Sequence, residues 1–384
     1  MLAGGRSSEH DVSVRSAAAV REGLAAAGHD VVGVDLQRDG SWWSGGREVE
    51  LRAGRGLLGC DVVFPALHGP FGEDGTVQGL LELLGVPYVG AGVLASAACM
   101  DKVVFKDLMA SAGMEQVAYR LVLAGEPVGD LSAMGFPLWV KPARLGSSVG
   151  IVRVGAADEL EAALAQAWSH DPRVIVEAGA PAGALEVECS VLGPTHAPRV
   201  SVAGEICITS EWYDYAAKYT PGAMELQVPA RISPTAAARV TELAQRAFTA
   251  AGCSGLARAD FFVAGETVLL NELNTMPGQT ATSVYGVLWG HSGLEYPALM
   301  DELCRIALAR AAGRPPMLLS SASGAGVPEA LRSKIFEPFI TGRTRGLGLG
   351  ATVAKRCQQR QDGDIVLQAT GDDGSVFLLT WPVA

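Results

Sequence analysis

The hydrophobic pattern of residues 1–91 predicts a parallel sheet with helices between its strands. Apolar spacing indicates a helix over about Val12–Ala27, a strand over Asp30–Asp35 and a further strand over Cys60–Ala66. This βαβ order is typical of a Rossmann-like domain. Only Met1–Ala3 are left for the first strand, which is short for a buried central strand. We therefore expect either a misplaced start or a truncated strand.

Residues 92–183 predict a second domain. A helix begins near Ala95, and the stretch 136–154 predicts a strand, a loop and a second strand. The loop, Arg144–Gly150, is rich in small residues whose backbone amides can surround phosphate oxygens. By itself this signal is weak, because glycine- and serine-rich hairpin loops are common. A helix over Asp158–Trp168 and a strand near 174–179 complete the domain.

Several charged side chains of this domain lie on its predicted elements. Lys102 and Lys106 are one turn apart on the helix, and we interpret Lys106 as a solvated helix residue. Alternation along the strand places Lys141 beside Trp139 on one face. We interpret Trp139 as a core residue. Glu177 ends the following strand.

Residues 184–313 predict a third domain built on antiparallel strands. Strand candidates occupy 185–208, and the polar, aromatic stretch 211–230 that follows is long enough to form a lid. Helices are predicted over Ser233–Ala251 and Leu294–Ala311. Between the two helices lies a chemically unusual hairpin.

The apolar runs 256–263 and 267–273 predict this hairpin, with Ala264-Gly265-Glu266 as a three-residue loop. Pairing across such a loop places Arg258 opposite Glu272. Because side chains alternate faces along a strand, four polar side chains then share one face of the hairpin. They are Arg258, Asp260, Glu272 and Asn274.

Such a polar face would be costly to bury without counter-ions. Carboxylate and amide oxygens suit Mg²⁺, which takes few protein ligands and keeps positions for phosphate oxygens. The hairpin therefore predicts a magnesium site for a phosphate compound. The alternative is an exposed hairpin that carries a salt bridge.

Composition narrows the class of protein. The 384 residues are 49% hydrophobic and 18% charged, typical of a soluble globular protein of two or three domains. The net charge of −11 argues against broad nucleic-acid or anionic-membrane binding, but it permits a local nucleotide pocket. Seven scattered cysteines without C-x-x-C spacing predict reduced thiols in a cytoplasmic protein. Neither a signal peptide nor an apolar run of about 18 residues occurs.

Seven segments, in this order, resemble the D-alanine–D-alanine ligases of the ATP-grasp superfamily. They are GGRSSEHDVS, LHGPFGEDGTVQG, MDK, VKPARLGSSVG, YDYAAKY, ARADFF and NELNTMPGQT. Agreement in both order and spacing makes the resemblance specific, and it covers about residues 1–313. It implies a mixed α/β and α+β fold: a Rossmann-like N-terminal domain (1–91), a central domain (92–183) and a catalytic antiparallel-sheet domain (184–313).

The resemblance implies ATP-driven amide formation between two D-alanine molecules, for peptidoglycan precursor synthesis. The carboxylate of one D-alanine attacks the γ-phosphate and forms an acyl phosphate. The amine of the second attacks that carbonyl, and the tetrahedral intermediate loses phosphate. The protein mainly positions the substrates and neutralises charge. ATP and two Mg²⁺ or Mn²⁺ ions are the implied cofactors.

The resemblance also assigns residues to the metal and to ATP. The implied metal ligands are Asp260, Glu272 and Asn274. Two lysines would bind the phosphates, and two glutamates would contact the adenosine. These four are Lys102, Lys141, Glu177 and Glu186.

The remaining implied roles concern the reacting groups. Glu9 would bind the ammonium of the first D-alanine, through a network with Ser147 and Tyr219 that closes the lid. Lys218 would reach the transferring phosphoryl group. The oxyanion and phosphate stabilisers would be Arg258 and the amide of Gly278. Ser283 would hold the second carboxylate, and His68 lies near the first substrate or is simply a satisfied histidine at a strand end.

The segments that the resemblance places near the second substrate depart from the family pattern. Ala216 stands where a glutamate is usual, Glu211-Trp212 precede that loop, and VYGVLWGHSG (284–293) differs from the expected run. A paralogue that joins another D-amino acid, in antibiotic biosynthesis or self-resistance, is therefore an alternative. The Tyr219 segment AAKY favours an amine nucleophile over a hydroxy acid.

The tail does not continue this pattern. Arg314–Pro316 predicts a linker, and 317–384 resembles the second half of a histidine-kinase ATPase domain, with IFEPF, GLGLG and a closing strand pair. The aspartate expected near Ser321 is missing, so we predict an appendage without a working nucleotide site. A non-catalytic fusion or signalling scaffold is the third hypothesis. The family resemblance also implies a possible homodimer, formed through the N-terminal region.

Overall fold

The computed structural model describes residues 1–208, 224–313, 327, 329–337, 355, 364–371 and 374–380. The chain divides into two units, Met1–Gly313 and Arg314–Ala384. The predicted linker thus begins at the boundary between them. The predicted site residues Lys218 and Tyr219 lie outside the described residues, as do Glu211, Trp212 and Ala216.

The first sheet contains the predicted βαβ unit. Strands β1 (Leu2–Gly4) and β2 (Val34–Leu36) pair in parallel, and helix α1 (His10–Ala26) connects them. The polar stretch 36–56, which has few apolar residues, nevertheless forms two further strands. These are β3 (Trp42–Ser44) and β4 (Arg47–Glu48), which complete the order β1-β2-β3-β4.

The strand predicted over Cys60–Ala66 was wrong as a continuous element. Only isolated bridges form there, Leu2 with Pro65 and Val63 with Tyr88. Pro65 has no N–H to donate to a ladder, so the run cannot pair regularly along its length.

Three helices lead from this sheet to the next. They are α2 (Thr76–Leu84), α3 (Val93–Met100) and α4 (Lys102–Ser111). The single helix predicted from Ala95 is divided at Asp101, whose extended backbone ends α3. The Asp101 carboxylate accepts the N–H groups of Val103 and Val104 and so caps α4. The division fixes Lys102 at the first position of α4.

The central sheet is antiparallel. Its strands are β5 (Tyr119–Leu123), β6 (Leu138–Pro142), β7 (Val152–Val154) and β8 (Arg173–Ala178), in the order β5-β8-β6-β7. Helix α5 (Leu160–Trp168) packs against the face that carries Leu138 and Val140, both fully buried. The opposite face of β6 is therefore left to Trp139 and Lys141.

The third sheet carries the hairpin. Its strands are β9 (Leu185–Gly193), β10 (Arg199–Val200), β11 (Gly204–Ile208), β12 (Met224–Gln227), β13 (Gly255–Ala264) and β14 (Thr267–Asn274). The order is β12-β11-β9-β13-β14, and β10 pairs with β9. Three helices accompany the sheet: α6 (Pro234–Ala250), α7 (Val284–His291) and α8 (Tyr296–Ala312). The sequence pattern predicted α6 and α8 but not α7.

In the second unit, β15 (Asp364–Gly371) and β16 (Gly374–Thr380) form an antiparallel pair. The predicted closing strand pair is therefore present. The resemblance of this tail to a histidine-kinase ATPase domain stays a prediction, and Ser321 lies outside the described residues. None of the helices in the described ranges has the length and apolar character needed to cross a bilayer.

Candidate active site

A cleft of about 950 Å³ lies within residues 1–313. Every predicted site residue that the structure describes lines it. The lining residues of that set are Glu9, His68, Lys102, Lys141, Ser147, Glu177, Glu186, Arg258, Asp260, Glu272, Asn274, Gly278 and Ser283. The fold thus brings one set of polar side chains from all three predicted domains into a single cavity.

The hairpin loop is shorter than predicted. Ala264, not Val263, pairs with Thr267, so the loop contains only Gly265 and Glu266. Gly265 has φ = 59°, a left-handed conformation that glycine adopts without a Cβ clash. The predicted three-residue loop was therefore wrong.

A β-bulge restores the predicted face. Asp260 pairs with Glu272, and Arg258 with Asn274, because a register shift leaves Asn271 as the extra residue of β14. The amide Nδ2 of Asn274 lies 3.0 Å from Asp260 Oδ2 and 3.4 Å from Glu272 Oε1. The polar side chains share one face, although their predicted pairing was wrong.

A third carboxylate extends this row. Glu188 on β9 pairs with Asp260, so Glu188, Asp260 and Glu272 are neighbours across three strands. Arg258 Nε lies 2.8 Å from Glu188 Oε2, and the guanidinium donates two hydrogen bonds to Asp260, at 2.8 and 2.7 Å. Burial alone would lower the pKa of Arg258, but Asp260 and Glu188 raise it well above its usual value. The guanidinium is therefore charged and rigidly held.

This hairpin face fits a divalent cation. Asp260 and Glu272 supply carboxylate oxygens, and the Asn274 amide can supply a third oxygen ligand, which is the chemistry that Mg²⁺ prefers. The N–H donors of Asn274 now lie between the two carboxylates, where positive charge is favoured. Within the described residues no cluster of three or more His, Cys, Asp or Glu side chains forms a complete metal cage. Substrate oxygens would have to complete the coordination.

Two lysines lie on the side of the cleft formed by the central sheet. Lys102 Nζ donates to the carbonyl of Leu145, 2.8 Å away in the Arg144–Gly150 loop. Lys141 Nζ forms an ion pair with Glu177 Oε2. Burial would lower the pKa of Lys141, but Glu177, with smaller contributions from Glu272 and Glu186, raises it. Lys141 therefore carries its charge between the central sheet and the hairpin.

Two interpretations of this region were wrong. Lys106 is not a solvated helix residue: it is 1% exposed, with Nζ 3.0 Å from Glu177 Oε1. Trp139 is not a core residue, because it is half-buried and lines the cleft. Lys106 is buried because it shares one face of α4 with Val103 and Met109, both in the core. This three-residue spacing is visible in the sequence and could have predicted that Lys106 is buried.

The opposite end of the cleft joins the first domain to the small-residue loop. Ser147 Oγ donates to Glu9 Oε1, at the start of α1. Ser147 and Ser148 have φ of 52° and 57°, left-handed conformations that are rare for non-glycine residues and concentrate at functional sites. The hydrogen bond between Glu9 and Ser147 is present. Its proposed extension to Tyr219 falls outside the described residues.

His68 is buried beside Glu9's helix. Its Nε2 lies 2.9 Å from Ser16 Oγ, and its Nδ1 lies 3.8 Å from Glu73 Oε1. Glu73 also accepts the N–H of Gly69 at 2.8 Å. His68 is thus hydrogen-bonded at Nε2, with a carboxylate near Nδ1, which fits either a substrate contact or a purely structural role.

Ser283 occupies the N-cap position of helix α7, the element that the sequence pattern missed, but its hydroxyl bonds Thr280 and not an amide of α7. Its Oγ accepts the N–H of Thr280 at 3.1 Å and lies 2.7 Å from Thr280 Oγ1. A Cβ on Gly278 would come within 3.0 Å of Ser283 Oγ. A larger residue at position 278 would therefore crowd the Ser283 hydroxyl. Ser283 directly precedes the first amides of α7, whose N–H groups give this end of the helix a positive potential.

Glu188 and Lys106 are two polar residues whose part in the site the sequence analysis missed. Glu188 lies two residues after Glu186 on β9, so period-two alternation puts both on one face. That signal was present in the sequence. However, Glu188 reaches the site only because β13 pairs with β9, and the local pattern does not reveal that pairing.

The sequence matches two family models. The model described as D-ala D-ala ligase N-terminus matches residues 1–58 and 52–91, and the one described as D-ala D-ala ligase C-terminus matches 108–305. The D-alanine–D-alanine ligase of Deinococcus radiodurans is 46% identical over 331 residues, covering 80% of this chain and 97% of that protein. That of Mycolicibacterium smegmatis is 43% identical over 356 residues, covering 81% and 95%.

Solved structures agree in fold. The VanG D-Ala:D-Ser ligase of Enterococcus faecalis is 34% identical with a TM-score of 0.72, covering 80% of this chain and 98% of that one. The D-alanine–D-alanine ligase of Coxiella burnetii is 32% identical with a TM-score of 0.73, covering 81% and 93%. These neighbours confirm the predicted ATP-grasp fold. Family models and relatives together show that this chain belongs to the D-alanine–D-alanine ligase family.

Proposed function

We propose that this chain joins two D-alanine molecules in an ATP-dependent reaction that forms ADP, for peptidoglycan precursor synthesis. The main support from the site is that carboxylates of the central sheet and of the hairpin both act on Lys141. Its ammonium group contacts Glu177 of the central sheet and is also influenced by Glu272 of the hairpin. Lys141, which we propose binds phosphate, and Glu272, which we propose binds the cation, both line the same cleft, as phosphoryl transfer would require.

In this proposal the cleft neutralises the triphosphate. Lys102 and Lys141 bind the phosphates, and the Arg144–Gly150 loop surrounds them with backbone amides. Asp260, Glu272 and Asn274 would hold Mg²⁺, which when bound neutralises charge on phosphate oxygens. Glu177 and Glu186 belong to the nucleotide side of the cleft. We extend the same proposal to Lys218 and Tyr219 from the family resemblance alone.

The acceptor carboxylate and the oxyanion need oriented donors. Arg258 is held by Glu188 and Asp260, so its guanidinium is pre-oriented for the oxyanion of the tetrahedral intermediate. The amide of Gly278 would donate to the same centre. Preorganised donors of this kind lower the barrier because they need no reorganisation during the reaction.

The two amino acids would occupy opposite ends of the cleft. Glu9, fixed by Ser147, presents a carboxylate to the ammonium of the first D-alanine, with His68 nearby. Ser283, beside the amides that begin α7, would hold the carboxylate of the second. This placement leaves the attacking amine between the two ends, close to Arg258.

A second D-amino acid other than alanine is the alternative, and one observation favours it. Thr280, Thr282 and Ser283 line the cleft, and Thr280 Oγ1 lies 3.2 Å from Thr282 Oγ1 and 2.7 Å from Ser283 Oγ. A hydroxyl cluster at this end suits a polar side chain on the substrate. One structural relative is named a D-Ala:D-Ser ligase.

A phosphate-release assay tests both candidates. With ATP and Mg²⁺, D-alanine alone should support turnover, whereas L-alanine should not. Assays that combine D-alanine with D-serine or with D-lactate then show which second substrate the site accepts. Faster release with D-serine than with D-alanine would favour the alternative. No nucleotide-dependent release with any amino acid would favour the non-catalytic scaffold.

We also propose a homodimer and the three-domain division at residues 91 and 183. Leu83 and Leu94, on α2 and α3, are 69% and 79% exposed, and exposed leucines suit self-association. Light scattering on the purified chain measures the oligomeric state. A monomeric mass at micromolar concentration would contradict the dimer.

We also propose that the protein is located in the cytoplasm and has no nucleic-acid or membrane partner.

A further inference from the structure

A second lysine shares the carboxylate that holds Lys141. Lys106 Nζ lies 3.0 Å from Glu177 Oε1, while Lys141 Nζ contacts Oε2 of the same group. Lys141 and Glu177 line the cleft, but Lys106 is not among the described residues that do so. Lys106 therefore lies behind the pair and acts on the cleft only through Glu177.

The surroundings of Lys106 hold it in place. Its Nζ lies 5.7 Å from the centre of the Tyr119 ring, a cation–π distance. Tyr119 pairs with Glu177 across β5 and β8, and its hydroxyl donates to Asp107 at 2.8 Å. The carbonyl of Lys106 accepts a hydrogen bond from Gln116 at 3.0 Å. The ammonium group is thus enclosed between an aromatic ring and a carboxylate.

Glu177 cannot fully neutralise both of its lysine partners. Both ammonium groups contact this one carboxylate, so Glu177 is divided between Lys106 and Lys141, while Glu272 and Glu186 act on Lys141 more weakly. Burial by itself would raise the pKa of Glu177, but Lys141 and Lys106 lower it to about 2, so the carboxylate stays ionised. Without Lys106, Glu177 would pair with Lys141 alone and neutralise it.

We propose that Lys106 is a positioning residue for nucleotide binding: it occupies one oxygen of Glu177, so that Lys141 keeps charge available for the phosphates. This inference rests on the proposed function, because it assumes that a nucleotide binds beside Lys141. It assigns Lys106 no contact with substrate.

The first test replaces Lys106 by methionine, which keeps most of the side-chain volume. Titration calorimetry with ADP and Mg²⁺ measures nucleotide affinity without turnover. Lys106→Met should weaken the Kd about tenfold, since one charge at the cleft wall is lost. In steady-state assays the KM for ATP should rise more than kcat falls. Arg246→Met is the matched control, because Arg246 holds the other end of α4 through the carbonyl of Ala112 and should leave the Kd unchanged.

The second test uses Glu177→Gln as a background. Without the carboxylate, the buried Lys106 lacks the anionic partner through which it acts on Lys141. Lys106→Met should then change the ADP Kd less than twofold, and the double variant should melt at a higher temperature than Glu177→Gln alone. This comparison remains informative even where Lys106→Met alone does not fold.

The outcomes distinguish a failure of the proposed function from a failure of the role proposed for Lys106. Wild-type protein that binds no ADP would overturn the proposed function itself. Wild-type binding that Lys106→Met leaves unchanged, or an equal loss from Lys106→Met in both backgrounds, would overturn only the role of Lys106. Loss in the wild-type background alone supports it.

Discussion

Asp260 and Glu272 lie directly opposite each other on β13 and β14 only because β14 contains one extra residue, Asn271. The two-residue loop would otherwise pair Asp260 with Asn271 and turn Glu272 toward the core. Val268 and Leu270 are buried, Asn271 and Glu272 are both half-buried, and Leu273 is buried again. The bulge therefore shifts the alternation and brings Glu272 to the cleft.

Glu272→Gln should nearly abolish turnover, by on the order of 10²–10³, because a neutral amide binds a divalent cation far more weakly than a carboxylate does. The fold should persist, since Gln keeps the volume of the side chain. Phosphate release and a thermal melt measure the two effects. Glu266→Gln, in the exposed loop of the same hairpin, is the control. Normal turnover of Glu272→Gln would remove the hairpin from the site.

Lys141→Ala should also eliminate turnover while leaving a cooperative melt. Lys106 still opposes Glu177 in this variant, so the buried carboxylate keeps a counter-ion. Lys334→Ala, exposed and in the second unit, should behave as wild type. Retained activity in Lys141→Ala would contradict the phosphate-binding role.

Ser147→Ala should raise the KM for the first D-alanine by about tenfold, because Glu9 loses a charge-assisted hydrogen bond worth roughly 1.5 kcal/mol. The KM for ATP should change less. Ser148→Ala, which has the same left-handed backbone, controls for strain in the loop. An equal rise in both KM values would indicate loop disruption instead of a specific contact.

The stability of the buried charge cluster should depend on pH. The folded pKa of Glu177 is about 2, below its usual 4.5. Its stabilising contribution is therefore complete above about pH 4.5 and is lost as pH falls toward 2. A shift of this size corresponds to on the order of 3 kcal/mol. Urea unfolding from pH 7 to 3 should show the gap between wild type and Lys106→Met/Glu177→Gln narrowing below pH 4.5. A constant gap would contradict the lowered pKa.

Deleting residues 317–384 should leave both turnover and the melt of the remaining chain largely unchanged. The first unit, Met1–Gly313, contains the cleft and its own buried core clusters. Measuring phosphate release and melting temperature on the shortened chain tests this. Complete loss of activity would mean that the tail supports the ligase.

The sequence by itself determined the family, the antiparallel hairpin and the polar set that lines the cleft. These follow from local order: motif spacing along the chain, and period-two alternation that places Asp260 and Glu272 on one face. Apolar spacing likewise predicted α1, α6 and α8 close to their observed bounds. Motifs and periodicity are properties of neighbouring residues, so they can be interpreted before the chain folds.

Only the tertiary structure decided the rest. The two-residue loop sets how β13 and β14 pair, and the bulge at Asn271 shifts that pairing so that Leu273 is buried and Glu272 faces the cleft. The bulge is therefore a property of the pair of strands. Lys106 is buried and paired because β8 brings Glu177 to it from 71 positions away along the chain. Glu188 joins the site because β9 packs beside β13. Burial and counter-ion contacts arise between distant segments, and a local pattern does not contain them.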